Sequence, residues 1–302
     1  MKVAITGGSG FVGSALTDSL RDEGHEVIIL TRNSKGKTPR KGVTYVEWLN
    51  GHHTPEKALE GLDAFVNLAG EPINSGRWTS ERKQRILNSR IDATREVVSI
   101  ISNLEKKPEV LVNASAIGCY GTSKSRSFTE DSDNRGDDFL ARVVQQWEKE
   151  AGKAQALGVR TVYCRFGLIL GKEDGALPRL VIPYKLFAGG PLGDGMQWYS
   201  WVHIDDVVGM IRFAMENEAI TGPLNVTAPE PKRMKDFGKT LADVLGRPHW
   251  LPAPSVALKL ALGEMSVLVL EGQCVLPLKA KENGFPFKFS HAKEALENLL
   301  GS

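Results

Sequence analysis

The chain has 302 residues, of which 41% are hydrophobic and 25% charged, a composition that excludes long disorder and allows one large α/β domain with an appended lobe. A formal net charge of +2 creates no strong field, so no nucleic-acid or membrane partner is expected and a small molecule is the expected ligand. Three cysteines without a short-spaced pair indicate neither disulfides nor zinc, and the lack of an apolar leader or of an apolar run of about eighteen residues favours a cytoplasmic protein.

Short apolar runs and helical periodicities alternate along the first two thirds of the chain. Apolar runs predict strands at residues 2–6, 26–30, 43–48, 64–69, 110–114, 159–166 and 224–227. Helical spacing predicts a helix directly after the first strand, and further helices at about residues 80–104, 139–157 and 205–217. This alternation predicts an α/β fold built on a Rossmann-like, doubly wound parallel sheet.

Regularity loosens after about residue 170. Glycine and proline cluster in "FAGGPLGDG", residues 187–195, which predicts a loop that could act as a lid. The last seventy residues read as a mostly helical tail with a proline-rich start. We therefore predict a large domain over residues 1–230 that includes substrate-side loops, and a smaller C-terminal lobe over residues 231–302.

Glycines follow the first strand at a spacing typical of a dinucleotide site. Gly7, Gly10 and Gly13 read GxxGxxG, and Gly8 with the last two also satisfies GxGxxG. Such glycines permit a tight turn and let the amides of the next helix face a pyrophosphate. The alternative is a merely tight turn between strand and helix, but the strand before and the amphipathic helix after favour the dinucleotide.

The end of the second predicted strand bears on which dinucleotide is bound. An acidic residue there would accept a hydrogen bond from the ribose 2′-hydroxyl of NAD. This chain has Thr31 and Arg32 instead, with Lys35 and Lys37 nearby, and a guanidinium suits a 2′-phosphate. NADP(H) is therefore the expected cofactor. A solvated basic loop would explain the two lysines equally well, but it leaves the missing acid unexplained.

Six motifs occur in an order that resembles an extended short-chain dehydrogenase/reductase: "TGGSGFVG", "NLAG", "ASAIGCYG", "RFGLILG", "WVHIDDV" and "GPLNVTAP". They cover roughly residues 1–230. The stretches "RWTSERKQRILNSRIDATR", "DFLARVVQQWEKEA" and "VLEGQCVLP" resemble, more narrowly, an atypical branch known as the epimerase family proteins, which ends in a small domain of unknown function. The resemblance then extends over nearly the whole chain.

The resemblance implies a set of cofactor-binding residues. It places the phosphate loop at Gly7, Ser9, Gly10, Phe11, Val12 and Gly13, and the adenosine-phosphate site at Thr31 and Arg32. It places Leu68, Ala69 and Gly70 near the adenine and ribose, Leu168 and Ile169 near the nicotinamide, and Arg90 within reach of the cofactor. A surface salt bridge is the alternative for Arg90. The resemblance also implies a homodimer formed through the two long helices beside the active-site strand.

The predicted catalytic set departs from the superfamily pattern. Ser115 matches the catalytic serine, but the helix expected to carry Tyr-x-x-x-Lys has Phe139 or Leu140 at the tyrosine place. Val143 or Val144 stands at the lysine place, so the usual acid/base pair is missing. Tyr120 is the nearest phenol in sequence and is the candidate substitute, although a role in shaping the pocket is the commoner one.

Other polar residues near these motifs are expected to be structural. Trp147 and Glu148 should pack and cap, while His203 should order its loop ahead of a helix capped by Asp205 and Asp206. No metal site is expected, because the adjacent histidines at positions 52 and 53 lack ligand-spaced partners.

Two functions of different class are consistent with the sequence. The first is an NADP-dependent oxidoreductase or epimerase acting on a small hydroxyl- or carbonyl-bearing substrate, with Ser115 holding the substrate oxygen. The second is a catalytically silent NADPH-binding redox sensor or regulatory protein, which the missing Tyr-x-x-x-Lys pair would suit.

Overall fold

A computed structural model of the chain describes residues 1–38, 40–49 and 54–301. Its strands are β1 (Lys2–Thr6), β2 (Glu26–Thr31), β3 (Val43–Glu47), β4 (Ala64–Asn67), β5 (Val110–Ala116), β6 (Ser127–Phe128), β7 (Arg160–Phe166), β8 (Leu168–Leu170), β9 (Trp198–Tyr199), β10 (Trp201–His203), β11 (Gly222–Val226), β12 (Lys232–Arg233) and β13 (Cys274–Val275). Its α-helices are α1 (Phe11–Asp22), α2 (Glu56–Leu59), α3 (Ser80–Asn103), α4 (Phe139–Ala151), α5 (Leu177–Lys185), α6 (Ile204–Glu216), α7 (Met234–Leu245), α8 (Ser255–Leu262), α9 (Val267–Leu270), α10 (Leu278–Glu282) and α11 (Ala292–Leu300).

Parallel strands form the central sheet. Within the described residues it has seven of them, in the order β11-β7-β5-β4-β1-β2-β3. The order reverses at β1, where the chain turns from building one half of the sheet to building the other. In open parallel sheets, ligands bind outside the carboxyl ends of the strands at such a switch point. The predicted Rossmann-like fold class is confirmed.

Alternate side chains of the strands pack into two separate cores, one on each face of the sheet. Val3 and Ile5 of β1 point to a core shared with α1 and α6, while Ala4 between them points to a core shared with α3. The same alternation continues through the neighbouring strands, which are almost wholly buried. A sheet covered by helices on both faces requires this near-continuous apolar sequence, so the predicted strands could be recognised.

A third core lies beyond the sheet and joins segments from both sides of residue 230. It packs α5 against α7 and α11, with Trp201 fully buried among them. Packing in this core is continuous across residue 230, because α5 precedes that residue and α7 and α11 follow it. The pairings of β8 with β10 and of β9 with β12 supply further short strands that hydrophobic pattern did not predict.

The C-terminal segment also returns to the body of the molecule. β13 pairs in parallel with β6, and the Leu276 amide donates to the Phe128 carbonyl at 2.9 Å. Buried Glu130 accepts hydrogen bonds from the amides of Asn225, Leu278 and Lys279. Among the described residues, no helix is long and apolar enough to cross a bilayer.

Candidate cofactor and catalytic site

The glycine turn joins β1 to α1 through backbone contacts that side chains would block. Gly7 has φ of +67°, and a Cβ there would come within 2.7 Å of the Leu68 carbonyl oxygen. A Cβ on Gly13 would overlap the Gly7 carbonyl, so only glycine lets the helix start this close to the strand. The Gly10 amide closes the turn by donating to Gly7 at 2.9 Å.

The N-terminus of α1 is left free for an anion. No side chain of the described residues caps Gly10, and the first turn, which begins with Phe11 and Val12, carries no acid. Uncapped amides at the positive end of a helix attract phosphate. Ser9 and Gly10 are exposed at the mouth of this turn. The geometry therefore fits a dinucleotide pyrophosphate.

The loop after β4 closes one side of the turn. The Leu68 amide donates to the Thr6 hydroxyl at 3.1 Å, and the Ala69 amide donates to the Asn67 side-chain oxygen at 3.4 Å. A Cβ on Gly70 would meet the Arg90 guanidinium at 3.2 Å, so glycine is what lets this loop and α3 approach each other. The structure thus brings together the glycine turn and the predicted residues 68–70.

Within the described residues, Arg90 forms no salt bridge of the kind considered as an alternative. Its Nη1 donates to the carbonyl oxygens of Glu71 and Ile86, both at 3.0 Å, and its guanidinium lies 5.1 Å from the centre of the Trp147 ring. Burial lowers the pKa of Arg90 to about 10, against the opposing charge of Glu71. This arginine remains charged and is held at the edge of the cleft beside Gly70.

A second segment meets the turn from the other side. The ring of Phe11 rests on the backbone of Gly171 and Gly175, where added Cβ atoms would overlap it. Ile169, in β8, accepts the Ala176 amide at 3.0 Å and brings this loop back toward the ring. Leu168 and Ile169 are partly buried. The predicted nicotinamide-side residues therefore lie in a strand whose following loop contacts the phosphate loop.

Arg32 projects from the end of β2. It is exposed, and it forms no ion pair or hydrogen bond with any residue that the structure describes. The backbone around it is shaped by Thr31, whose hydroxyl donates to the Asn33 carbonyl at 3.0 Å. The Lys37 ammonium group lies over the Tyr45 ring, 5.5 Å from its centre. Because β2 pairs with β1, this unpaired cation stands at the carboxyl edge next to the glycine turn.

A buried polar network binds the carboxyl ends of three sheet strands together. The Asn67 amide group donates to Asn113 at 2.6 Å and to Thr94 at 2.9 Å, while its oxygen accepts from Thr6 at 2.6 Å. The Trp147 indole also donates to Thr94. Fully satisfied networks of this kind rigidify a core, so the floor of the cleft is held firmly.

Ser115 lies at the carboxyl end of β5 and is bound to a carboxylate. Its hydroxyl donates to Glu148 at 2.6 Å, and the guanidinium of Arg165 donates to both oxygens of the same carboxylate at 2.8 Å. Arg165 is only 1% exposed. Burial lowers the pKa of Arg165, but the hydrogen bonds and charge of Glu148 outweigh it and raise the pKa above its usual value. The serine is therefore oriented by a buried ion pair.

The expected packing and capping role of Glu148 is wrong, because its carboxylate forms this ion pair. A signal was present in the sequence: Arg165 interrupts an apolar strand, and a charge in such a strand requires a buried partner. Glu148 follows Leu140 and Val144 on one face of α4, at a spacing of four residues. Trp147 does pack, as expected, and is buried.

Tyr120 is fully enclosed. Its hydroxyl donates to Asn225 at 2.9 Å and accepts from Arg165 at 2.8 Å, and its ring stacks on Phe128 at 5.3 Å. Burial raises the pKa of Tyr120 to about 12, against the lowering influence of the Arg165 charge. Both hydrogen-bonding roles of the phenol are used inside the protein, so this geometry weighs against proton exchange with a substrate.

The helix facing Ser115 supplies no alternative acid at the expected places. The Leu140 side chain lies against Gly118 in the loop after Ser115, and Val144 is buried below it. Phe139 contacts Trp78 edge to face at 5.3 Å. Apolar side chains therefore occupy the places at which the superfamily positions its tyrosine and lysine.

The helix-capping expectation is partly wrong. His203 itself is the N-cap of α6, accepting the Asp205 amide at 3.0 Å. Asp206 instead accepts the amides of Lys288 and Phe289 from the C-terminal segment, at 2.8 and 3.0 Å. The histidines at positions 52 and 53 lie outside the described residues. Among those described, no group of three metal-ligating side chains comes together, and the three cysteines are free and buried.

The chain is similar to known proteins over nearly its whole length. A model of the NAD dependent epimerase/dehydratase family matches residues 3–226, and one of a domain of unknown function, DUF1731, matches residues 253–299. The epimerase family protein YfhF of Bacillus subtilis is 52% identical over 99% of this chain and 98% of its own length. The chloroplastic SDR39U1 homolog of Arabidopsis thaliana is 45% identical over 99% of this chain and 87% of its own length.

Solved structures include a crystal structure of the human epimerase family protein SDR39U1, isoform 2, with NADPH. It superimposes with a TM-score of 0.86 at 32% identity, covering 99% of both chains. The nucleoside-diphosphate sugar epimerase of Corynebacterium glutamicum gives a TM-score of 0.79 at 31% identity, over 100% of this chain and 58% of that one. The resemblance predicted from the motifs is confirmed. The chain belongs to the NAD dependent epimerase/dehydratase family.

Proposed function

We propose that the chain binds NADP(H) and catalyses an oxidoreductase or epimerase-like reaction on a small substrate with a hydroxyl or carbonyl group. The proposal is carried by two features at the ends of adjacent strands, an uncapped glycine turn and Arg32, which has no partner among the described residues. The first suits a pyrophosphate, and the second suits a 2′-phosphate. The NADPH bound by the human relative supports the same choice.

Cofactor binding divides among four segments. The glycine turn would hold the pyrophosphate, Arg32 with Thr31 the adenosine phosphate, and residues 68–70 with Arg90 the adenine and ribose side. Leu168 and Ile169 would face the nicotinamide. These segments surround the switch point of the sheet, and open parallel sheets bind ligands at such a point, which supports this division.

NADP(H), when bound, supplies hydride exchange at its nicotinamide ring. The role of Ser115 follows from its hydrogen bond to Glu148, which uses the hydroxyl proton. The serine oxygen then has lone pairs to offer, so in this arrangement it accepts a hydrogen bond from a substrate hydroxyl. The proton that accompanies hydride exchange would pass to water, since Tyr120 is engaged within the protein.

A catalytically silent NADPH-binding redox sensor or regulator is the second candidate. It is favoured by one specific observation, the apolar side chains of Leu140 and Val144 at the usual acid/base places. Without a tyrosine and lysine pair, proton exchange loses a contribution of about 10²- to 10⁴-fold in rate. A dinucleotide site can persist without turnover, so binding alone does not separate the two functions.

Calorimetry with NADPH and NADH, followed by a turnover assay, tests both functions. We expect tight NADPH binding with weaker NADH binding, and cofactor-dependent turnover of at least one member of a panel of aldehydes, ketones and nucleotide sugars. Ser115→Ala should then abolish turnover and leave NADPH affinity unchanged. NADPH binding without turnover across the panel would support the sensor instead. No heat with either dinucleotide would refute both.

A further inference from the structure

Helix α8 is mostly apolar, yet no residue in it is buried. Its sequence is "SVALKLAL", with Lys259 as its single charge. Val256 is 68% exposed and Leu260 is 75% exposed. An apolar helix is normally enclosed by protein or lipid. The exposed part of α8 is therefore a candidate interaction site.

A second apolar segment, residues 177–190, is hydrogen-bonded to the residues just before α8. The amides of Trp250 and Leu251 donate to the Gly189 carbonyl at 2.9 and 3.1 Å, and the Trp250 indole donates to Phe187 at 2.9 Å. A Cβ on Gly190 would overlap the Leu251 carbonyl, so the two backbones touch. Residues 177–190 and 247–262 therefore form one continuous surface.

We call residues 177–190 and 247–262 the apolar–cationic surface. Its apolar part consists of seven exposed side chains. Among the described residues nine large hydrophobic side chains are exposed, and the surface holds all but two of them: Ile182, Leu186, Phe187, Trp250, Leu251, Val256 and Leu260. Scattered single exposed hydrophobics are normal, whereas a concentrated set marks an interaction site. The surface is held in place, because Arg77 donates to the Leu260 carbonyl at 3.2 Å and Lys83 pairs with Glu264.

Charge is segregated on the same two segments. They carry the cations Arg179, Lys185, Arg247 and Lys259 and contain no acidic residue, although acids and bases nearly balance over the whole chain. The nearest acids along the chain lie outside both segments, at Asp174, Asp194, Asp243 and Glu264. The partner that fits is therefore apolar at its centre and negatively charged around it.

Net charge alone gives no reason to expect a membrane partner, but it does not register a local cluster of cations beside apolar side chains. We propose that this surface docks on an anionic lipid membrane. A membrane interface accepts a shallow apolar helix, an exposed tryptophan and surrounding lysine and arginine side chains together. A second copy of the chain fits poorly, because a twofold interface sets each patch against its own image and would oppose four cations with four. A dimer through α3 and α4, as the family resemblance implies, would leave this surface open.

The test uses the full chain and vesicles of phosphatidylglycerol or of phosphatidylcholine. We expect co-sedimentation with the anionic vesicles only, reduced at about 1 M salt, where charges are screened. The Val256→Asp/Leu260→Asp variant should lose this binding. Lys185→Glu with Lys259→Glu should weaken it at least about thirty-fold, since each cation near an anionic surface contributes substantially to affinity.

Matched controls separate this surface from net charge and from misfolding. Lys57→Glu with Lys149→Glu makes the same change in net charge on exposed positions of α2 and α4, and should bind vesicles like the wild type. All variants change exposed side chains, so they should retain their circular dichroism. Trp250→Phe should remove the blue shift in fluorescence that the wild type shows on binding.

Three results would overturn the proposal. Equal binding to both vesicle types would show that charge plays no part. Failure to bind vesicles, with a dimer in sedimentation that Val256→Asp/Leu260→Asp converts to monomer, would assign the surface to a second copy. The third result is failure to bind vesicles together with an oligomeric state that stays the same in the Val256→Asp/Leu260→Asp variant. That result would exclude both a membrane and a second copy, and would point to an acidic protein as the partner.

Discussion

Arg32 controls the proposed cofactor preference because nothing in the described part of the protein neutralises it. Its neighbours are otherwise engaged: Thr31 and Asn33 shape the turn, and Lys37 lies over Tyr45. An exposed guanidinium with no partner costs little in the free protein and is available to a phosphate. The preference for NADPH should therefore reside largely in this one side chain.

Replacing Arg32 by Ala tests this assignment. The loss of a charge-assisted hydrogen bond should weaken NADPH binding by about 10- to 100-fold and leave NADH binding almost unchanged, as measured by calorimetry. Lys149→Ala, which removes an exposed cation from α4, should change neither affinity. Equal weakening of NADPH and NADH would show that Arg32 acts on the fold rather than on the 2′-phosphate.

Glu148 should contribute to the stability of the fold through its buried ion pair with Arg165. Removing its carboxylate leaves the Arg165 guanidinium buried without a counter-charge, and this costs about 3–5 kcal/mol where such pairs have been broken. We therefore expect Glu148→Gln to lower the free energy of unfolding by about that amount in urea titrations. A change below about 1 kcal/mol, typical of surface pairs, would contradict the buried ion pair.

A double-mutant cycle isolates the pair from the residues around it. Arg165→Met alone should also destabilise, because Glu148 and the Tyr120 hydroxyl lose a donor. Combined with Glu148→Gln, it should cost less than the sum of the two single changes, since no unpaired charge remains. Additive effects in the urea titrations would mean that the two side chains act independently.

Two helices of this fold begin in opposite ways, and the difference suits their roles. The N-terminus of α1 at Gly10 has no side-chain cap from the described residues, which leaves its amides to a ligand. The N-terminus of α6 is capped by His203, and the other ring nitrogen of that histidine lies 3.2 Å from Asn298. One end is left free, while the other ties the C-terminal helix to the body.

The capping histidine makes stability depend on pH. Burial lowers the pKa of His203, with the nearby Asp205 carboxylate opposing and Lys288 adding to the effect. The unfolded imidazole takes up a proton near pH 6.5, whereas the native imidazole takes one up only at a lower pH. The stabilisation is thus present above pH 6.5 and is lost as the pH falls toward the native pKa.

His203→Asn should remove this dependence while keeping a capping side chain. Between pH 6.5 and 5.5 the wild type should lose more free energy of unfolding than the variant does. Urea titrations at both pH values, with fluorescence and circular dichroism, measure the difference. Parallel pH profiles in the two proteins would show that the imidazole titrates alike in both states.

Over the whole molecule, the C-terminal segment completes the body of the protein. Strand β13 pairs with β6, the Ser200 hydroxyl bridges the Gln273 carbonyl and the Val275 amide, and the Asn225 side chain donates to Leu276. A Cβ on Gly272 would overlap the Trp198 carbonyl. These contacts span the proposed boundary between the domains, so the two parts should unfold together.

Removing residues 253–302 should therefore abolish cooperative folding of the remainder. The deletion exposes the core around Phe128 and takes two of the three amide donors from buried Glu130. Thermal unfolding of the full chain should give coincident transitions by circular dichroism and fluorescence, and the shortened chain should give no sharp transition. A truncated chain that melts sharply and binds NADPH would show that residues 1–252 fold alone.

Local pattern was enough for much of the fold and for part of the site. Two-residue alternation and continuous apolar runs identified the sheet strands because both faces of the sheet are covered by helices. The glycines at 7, 10 and 13 identified the tight turn between β1 and α1, since the contacts of Gly10 and Gly13 with Gly7 lie within thirteen residues. Both signals are local in the chain, which is why they could be read before the fold was known.

Contacts between distant segments could not be read in this way. Glu148 and Arg165 meet across α4 and β7, Asp206 binds the amides of residues 288 and 289, and β13 pairs with β6. The exposure of α8 could not be predicted either, because an apolar helical sequence normally indicates a core helix. Side-chain chemistry and short-range periodicity belong to the chain, whereas partners and exposure arise only when folding brings remote segments together.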